Sequence, residues 1–156
     1  MLEIDIPGFK ILRLNHLVLD FNGTIACDGK LLPGVKEGLS ALADVLSIHV
    51  LTADTFGQAR SFLEDIPCEV SVIADEYQEI SKLTYVNEIG AQYSVCIGNG
   101  RNDRLMLKEA ALGIAVILEE GAAIETLVAA DVVCTGIVAA LDLLRKPLRL
   151  TATLRS

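Results

Sequence analysis

The chain has 156 residues, a formal net charge of −8, 52% hydrophobic residues and only 4% aromatic residues. This length suits one compact domain, and aliphatic residues with few aromatics suit a parallel sheet buried between helices. The negative charge and the absence of a basic stripe argue against a nucleic-acid partner. Because no apolar run approaches the roughly 20 residues of a spanning helix and the start does not resemble a signal peptide, we expect no membrane insertion and a cytoplasmic protein.

The first 14 residues alternate apolar and polar side chains around Pro7-Gly8, which predicts a β-hairpin packed on one edge of a sheet. From residue 15 onward, strand-like and helix-like segments take turns. We predict strands at 16–21, 47–53, 69–74, 93–98, 112–117 and 131–135. We predict helices at 34–45, 55–65, 76–89, 102–110, 121–130 and 136–145.

This alternation predicts right-handed crossovers and an α/β fold with one doubly wound, Rossmann-like parallel sheet of about six strands. No linker, repeat or low-complexity segment interrupts the series. We therefore expect residues 1–156 to form a single domain without a cap domain. Its core would cover 15–146, after the hairpin of 1–14, and 147–156 would be a C-terminal tail.

The cysteines show no CxxC spacing, which predicts reduced thiols rather than a zinc site. They are Cys27, Cys68, Cys96 and Cys134. His16 and His49 fall near strand starts, where we expect structural roles. The turn at Glu119-Glu120-Gly121 is interpreted as a helix N-terminus favoured by the helix dipole.

Polar residues follow three of the predicted strands directly. They occupy Asp20–Thr24, Thr52–Asp54 and Gly98–Asp103. In a parallel sheet, the loops at the carboxyl ends of the strands meet at one edge, where ligands bind. The sequence therefore predicts one polar site built from three loops.

Asp20 ends an apolar strand and begins a loop that contains Gly23. A carboxylate there can attack phosphorus if a cation offsets the repulsion between the two anions. Gly23 would let backbone N–H groups turn toward phosphate oxygens, and Thr24 would support the loop. Taken alone, the segment is also compatible with a strand-ending Asp followed by an Asn-Gly turn.

Four segments in order resemble motifs of the haloacid dehalogenase-like superfamily. They are LVLDFNGTIACDG, LTADT, KLTYVNEIG and GNGRNDRLML. The resemblance is greatest to the phosphorylation domain of P-type ATPases, here standing alone. It implies that Asp20 is a nucleophile forming an aspartyl-phosphate, that Thr52 binds the phosphoryl group, and that Lys82 places its ammonium against both.

The resemblance also implies a Mg²⁺ site and a phosphate cradle. The implied metal ligands are Asp20, the backbone carbonyl of Asn22, Asn99 and Asp103. The implied phosphate-binding residues are Gly23, Thr24, Ala53 and Asn102.

Two positions depart from the family pattern. Asn22 stands where the phosphatases of the superfamily carry a second Asp, which protonates the leaving group and later activates water. An amide has no proton to exchange near neutral pH, so slow turnover of poor leaving groups is expected. Asn99 stands where relatives carry a metal-binding Asp, which predicts weaker Mg²⁺ affinity, offset in part by Asp54 and Asp103.

The intervals between the motifs are too short for an inserted nucleotide-binding or cap domain. About 30 residues separate Asp20 from Thr52. An open site predicts that a phosphorylated small molecule or protein reaches it directly, and the apolar composition predicts a homo-oligomer. The roles of Asp28 and Asp75, as loop carboxylates or substrate contacts, stay open.

Two functional hypotheses follow. The first is a slow Mg²⁺-dependent phosphohydrolase that works through Asp20. The second is a regulatory or phosphate-binding module with little or no catalysis, for which Asn22 and Asn99 would be the marks.

Overall fold

A computed structural model describes residues 1–54, 57–74 and 76–156. Its strands, in chain order, are β1 (Leu2–Ile6), β2 (Lys10–Leu14), β3 (His16–Asp20), β4 (Ala26–Cys27), β5 (Lys30–Leu31), β6 (Ser47–Thr52), β7 (Glu69–Val72), β8 (Ser94–Gly98), β9 (Leu112–Val116) and β10 (Val132–Cys134). Its α-helices are α1 (Val35–Leu42), α2 (Gln58–Leu63), α3 (Gln78–Ile89), α4 (Arg104–Glu109), α5 (Ile124–Ala129), α6 (Ile137–Arg145) and α7 (Pro147–Leu154). Short 3-10 turns cover Ala91–Tyr93 and Arg101–Asp103.

Within these residues, six strands form one parallel sheet in the order β10-β9-β8-β3-β6-β7. The predicted doubly wound α/β fold is confirmed. The chain runs outward from β3 through β6 to β7, and then returns to β8 on the other side of β3. This reversal is the topological switch point, and it places the carboxyl ends of β3 and β8 beside each other.

The two faces of the sheet carry separate apolar cores because side chains alternate along each strand. On β3, Leu17 and Leu19 belong to the core beneath α1, α2 and α6, whereas Val18 belongs to the core beneath α3 and α4. All three are fully buried. The continuous apolar strands predicted from the sequence therefore follow from burial of the sheet on both faces.

The N-terminal hairpin forms, with an antiparallel register that pairs Leu2 with Leu14 and a turn at Pro7–Phe9. It is a separate two-stranded sheet and does not extend an edge of the six-stranded sheet. Instead, it packs against α7 and the turn at Ala91–Tyr93.

The expected tail at 147–156 is largely helical, because α7 spans Pro147–Leu154. Proline is tolerated at the first position of a helix, because a backbone N–H there has no partner within the helix. Leu150 is fully buried, and α7 packs against α6 and β1. The segment predicted as a tail therefore contains a packed helix.

A second hairpin, which the sequence analysis did not predict, follows Asp20. It joins β4 to β5 through Asp28 and Gly29, which have φ angles of 51° and 77°. Two positive φ angles suit an Asp-Gly hairpin turn. We call residues 26–31 the flap hairpin, because it lies directly after the Asp20 loop.

Within the residues that the structure describes, no helix combines the length and apolar character needed to cross a membrane. All four cysteines, each inside the described part of the chain, have free thiols.

Candidate active site

Three charged side chains form a buried cluster at the carboxyl edge of the sheet. The ammonium Nζ of Lys82 donates to Asp20 Oδ1 at 2.7 Å and to Asp103 Oδ1 at 2.6 Å. Lys82 and Asp103 are almost completely buried, and Asp20 exposes only 13% of its side chain. One cation thus lies between two carboxylates that come from β3 and from the loop after β8.

Lys82 is buried because it lies on the face of α3 that packs on the sheet. Val86, one turn further on, lies on the same face and is fully buried in the core. The ammonium group is therefore withdrawn from solvent, and the two carboxylates supply its hydrogen bonds.

Burial and neighbouring charges shift the protonation of this cluster. Burial, followed by the negative charge of Asp103, raises the pKa of Asp20 to about 7, against the opposing effect of Lys82. For Lys82, burial by itself would lower the pKa, but the charges of Asp103 and Asp20 outweigh burial and raise the pKa to about 12. Lys82 is therefore charged at neutral pH, while Asp20 needs a further cation besides Lys82 to be fully ionised.

Both carboxylate oxygens of Asp103 accept hydrogen bonds inside the protein. Its Oδ2 atom accepts the backbone N–H groups of Asn99 at 3.0 Å and Gly100 at 2.9 Å, and Oδ1 accepts from Lys82. Asp103 is fully buried and does not line the cavity described below. This geometry suits a residue that fixes the loop after β8 and orients Lys82.

The loop after β3 brings Thr24 against both Asp20 and Asn99. Thr24 Oγ1 donates to Asp20 Oδ2 at 3.2 Å and lies 3.4 Å from Asn99 Oδ1. Gly23 has a φ of +83°, and a Cβ placed on it would come within 3 Å of the side chains of Asn99 and Glu120. Glycine at this position therefore allows both the loop conformation and the close approach of these side chains.

Asn22 is tied to the flap hairpin. Its Oδ1 atom accepts the backbone N–H of Gly29 at 3.1 Å. The side chain at the expected general-acid position thus helps to hold the flap hairpin beside Asp20.

Thr52 and Asp54, at the end of β6, make local hydrogen bonds through their side chains. The backbone N–H of Asp54 donates to Thr52 Oγ1 at 3.1 Å, and Asp54 Oδ2 accepts the N–H of Ala59 at 2.7 Å. Asp54 therefore satisfies a free N–H in the first turn of α2. Thr52 is buried, with its side chain directed to the same edge as Asp20.

A cavity of about 790 Å³ opens above Asp20. Six of the residues predicted for the site line it, namely Asp20, Asn22, Thr52, Ala53, Asn99 and Asn102. Four others do not line it. Lys82 and Asp103 are buried behind Asp20, and Gly23 and Thr24 lie in the loop after β3, where Thr24 contacts Asp20.

The cavity also contains residues that the sequence analysis did not assign to the site. These are Phe21, Gly29, Gln58, Gln78, Gly100, Arg101 and Glu120. Asn102 Nδ2 donates to Gln78 Oε1 at 2.6 Å, which joins the loop after β8 to the start of α3. Glu120 was interpreted as part of a helix N-terminus, but α5 begins only at Ile124.

The atoms around Asp20 that could coordinate a metal are mainly oxygens. In the described ranges 1–54, 57–74 and 76–156, no three His, Cys, Asp or Glu side chains converge on one metal position. A metal bound here would need amide, backbone carbonyl or water oxygens as well. Such a mixed oxygen set suits Mg²⁺, which keeps several waters in most protein sites.

The remaining predictions on single residues have varied outcomes. Asp28 occupies the turn of the flap hairpin and does not line the cavity, and Asp75 lies outside the described residues. His16 Nδ1 and His49 Nε2 are 3.1 Å apart, and His49 Nδ1 is 2.8 Å from Tyr85 Oη. The two histidines therefore contact each other in the sheet and do not line the cavity over Asp20, as their predicted structural roles require.

Solved structures with this architecture were found by comparison, although no family model matches the chain. A Legionella pneumophila protein assigned to HAD superfamily hydrolases, subfamily III A, is 14% identical with a TM-score of 0.72, covering 90% of this chain and 87% of its own. The 3-deoxy-D-manno-octulosonate 8-phosphate phosphatase of Moraxella catarrhalis is 15% identical with a TM-score of 0.68, covering 85% and 86%. The chain has the haloacid dehalogenase-like (HAD-like) fold.

Sequence relatives of this chain occur in Methanocaldococcus jannaschii. Uncharacterized protein MJ0073 is 44% identical over 82 residues, which are 50% of this chain and 88% of that protein. Uncharacterized protein MJ0072 is 54% identical over 39 residues, 25% of this chain and 89% of that protein. The chain belongs to one family with these proteins. Its resemblance to the P-type ATPase phosphorylation domain stays a prediction from the motifs.

Proposed function

We propose that the HAD-like protein is a Mg²⁺-dependent phosphohydrolase that forms an aspartyl-phosphate on Asp20. The observation that carries the proposal is the contact of Lys82 with both Asp20 and Asp103 under an open cavity lined mainly by polar residues. A lysine buried between two carboxylates is costly as a purely structural device. It is useful where a nucleophile and an incoming phosphate must be held together.

In the first step, a carboxylate oxygen of Asp20 attacks phosphorus, and the bond from phosphorus to the leaving oxygen breaks. Lys82 and Thr24 fix the plane of the carboxylate through one oxygen each. In the second step, water attacks phosphorus, the bond between phosphorus and the Asp20 oxygen breaks, and the proton lost by water leaves with the phosphate or passes to solvent, which restores Asp20. Lys82 and Thr52 stabilise the charge that spreads over the phosphoryl oxygens during each transfer.

The donors that would hold Mg²⁺ are the Asp20 carboxylate, the Asn22 backbone carbonyl and the Asn99 amide oxygen. When bound, Mg²⁺ supplies positive charge that offsets the repulsion between the phosphate and Asp20 and keeps that carboxylate ionised. Asp103, predicted as a metal ligand, acts in this proposal through Lys82. In support, the M. catarrhalis phosphatase was solved with magnesium and phosphate ions, and that of Haemophilus influenzae in a cobalt-bound form.

The leaving group decides how fast this site can work. Asn22 cannot protonate a departing oxygen, and general acid catalysis is worth about 10²–10⁴ in rate. Acyl and aryl phosphates, whose leaving groups need little protonation, should therefore react faster than alkyl phosphates. The cavity is open and most of the residues that line it are polar, so we propose a phosphorylated small molecule as the substrate.

Replacing Asn22 by Asp is expected to raise turnover of alkyl phosphates by about 10-fold or more, because it adds the missing general acid. The new carboxylate can still accept the N–H of Gly29, so the flap hairpin stays attached. The measurement is steady-state hydrolysis of glycerol phosphate, para-nitrophenyl phosphate and acetyl phosphate, each with and without Mg²⁺. The gain should be smallest on acetyl phosphate, whose leaving group needs no proton.

Asn87→Asp is the matched control, since it makes the same chemical change at an exposed position of α3. It should leave all three rates unchanged. An equal gain on every substrate would show that Asn22→Asp does not act as an acid. If the parent and Asn22→Asp both fail to hydrolyse acetyl phosphate with Mg²⁺, the phosphohydrolase proposal is wrong and the non-catalytic module is favoured.

A further inference from the structure

We infer that Glu120 supplies the negative charge that the magnesium site lacks at Asn99, and that Asn99 holds the turn carrying Glu120 in place. The inference rests on the proposed function, because it concerns the metal site of that reaction. It explains why an amide can occupy position 99 without leaving the site short of charge.

The two side chains lie together over the same glycine. A Cβ placed on Gly23 would be 2.5 Å from Asn99 Nδ2 and 2.5 Å from Glu120 Oε2, so these two atoms are within about 5 Å of each other. Both residues also line the cavity that contains Asp20. The Glu120 carboxylate is therefore adjacent to the proposed metal ligands.

The amide of Asn99 has a contact that a carboxylate could not make. Asn99 Nδ2 donates to the backbone carbonyl of Gly121 at 3.0 Å. The backbone carbonyl of Asn99 also accepts the N–H of Ala123 at 2.9 Å. An aspartate at position 99 would lose the first bond and would face a carbonyl oxygen with a negative charge. The amide thus fixes the turn at residues 118–121, which aims Glu120 at the site.

Glu120 is also the carboxylate left available at this edge. Of the three carboxylates that line the cavity in the described part of the chain, Asp20 is bound by Lys82 and Asp54 by the N–H of Ala59. The Glu120 carboxylate has no hydrogen-bond or ion-pair partner among those same residues. In a chain with a net charge of −8, a cation beside it would relieve its repulsion with neighbouring acids.

The neighbouring Glu119 provides a matched control within one turn. Both glutamates line a neighbouring cavity with Gly23 and Cys27, but Glu119 does not line the cavity over Asp20. Glu119→Gln and Glu120→Gln remove the same charge from adjacent exposed positions. A difference between them therefore reports the position of the charge relative to the site.

The experiment measures Mn²⁺ binding by electron paramagnetic resonance, with Mg²⁺ competition to confirm the site and circular dichroism to confirm the fold. Glu120→Gln should weaken affinity by about 10-fold, within the range found when groups that support a metal site are removed. Glu119→Gln should change affinity by less than about 2-fold, as expected for a screened surface charge. The exchange Asn99→Asp/Glu120→Gln should restore affinity to within about 3-fold of the parent, because a carboxylate at position 99 replaces the one lost.

The possible failures are distinguishable. If the parent binds Mn²⁺ and the two glutamine variants behave alike, the role of Glu120 is overturned and the proposed function stands. If Asn99→Asp/Glu120→Gln binds Mn²⁺ as weakly as Glu120→Gln, a carboxylate at position 99 cannot replace the one at position 120, and that part of the inference is overturned. If the parent binds no Mn²⁺ that Mg²⁺ displaces, both the inference and the Mg²⁺-dependent function are overturned.

Discussion

Replacing Asp20 by Asn is expected to lower Mg²⁺-dependent hydrolysis of acetyl phosphate by at least about 10³-fold, because loss of a nucleophile removes the covalent route. The amide is nearly isosteric and can still accept a hydrogen bond from Lys82. The loss should therefore fall on the rate and leave the fold intact. Steady-state rates with and without Mg²⁺ measure it.

The same substitution should stabilise the metal-free protein at alkaline pH. The pKa of Asp20 is raised from 3.8 to about 7, so the folded state binds its proton more tightly than the unfolded state. Parent stability therefore falls as pH rises from about 4 through 7, and Asp20→Asn escapes this penalty. We expect Asp20→Asn to gain about 1–3 kcal/mol at pH 8 and little at pH 4 in urea unfolding with a chelator.

Asp5→Asn, at an exposed position of β1, is the control for this prediction. It should change neither the rate nor the pH dependence of unfolding. An Asp20→Asn protein that keeps the parent rate would contradict the assignment of the nucleophile. One that is less stable than the parent at pH 8 would contradict the account of a strained buried carboxylate.

Replacing Lys82 by Met should be the most destabilising single change at this site. It leaves Asp20 and Asp103 buried beside each other with no cation between them. Removing one partner of a buried ion pair costs about 3–5 kcal/mol. Hydrolysis should fall by at least about 10²-fold as well, because the charge that stabilises the phosphoryl oxygens is lost.

The sign of the pH dependence follows from the raised pKa values. The pKa of Lys82 is raised to about 12, so its contribution to stability is fully present below about pH 10 and is lost only as pH rises through 12. In Lys82→Met, Asp20 can relieve the repulsion from Asp103 by binding a proton. The deficit should therefore be largest at pH 8 and should shrink toward pH 4, which chelator-treated protein in urea would show.

Lys108→Met is the matched control, because Lys108 is exposed on the neighbouring helix α4. It should have nearly parental stability and activity. A Lys82→Met protein whose loss of stability is the same at pH 4 and pH 8 would show that the cost comes from packing. In that case, the electrostatic role assigned to Lys82 would be wrong.

The sheet was predictable from the sequence because buried strands are short apolar runs that end in polar loops. Asp20, Thr52 and Gly98 each end the strand that was predicted to carry them, within one residue. Parallel topology then places their loops at one edge. The site could therefore be located before any side-chain contact was known.

Helix α7 and the flap hairpin were missed for local reasons. Residues 147–156 were predicted as a tail, whereas Pro147 begins a new helix. The strands of the flap hairpin have only two residues each, which is too short for an alternating pattern to show. In both places, tertiary packing decides a structure that local propensity leaves open.

The roles of Asn99, Asp103 and Glu120 depend on contacts between distant segments. The family resemblance implies Asp103 as a metal ligand, and in the structure its oxygens accept hydrogen bonds from Lys82 and two backbone N–H groups. Glu120 approaches Asn99 only because the loops after β8 and β9 meet beside Gly23. Hydrophobic periodicity in the sequence does not predict this contact, which is apparent only from the fold.

The most direct test of the central claim is to trap the phosphorylated protein. Radiolabelled acetyl phosphate would be mixed with the parent and Mg²⁺, quenched in acid, which preserves acyl phosphates, and the labelled peptide identified. The proposed mechanism predicts a hydroxylamine-sensitive label on Asp20 that is absent from Asp20→Asn. Rapid Mg²⁺-dependent hydrolysis with no such label in samples quenched during turnover, or a label on another residue, would contradict it.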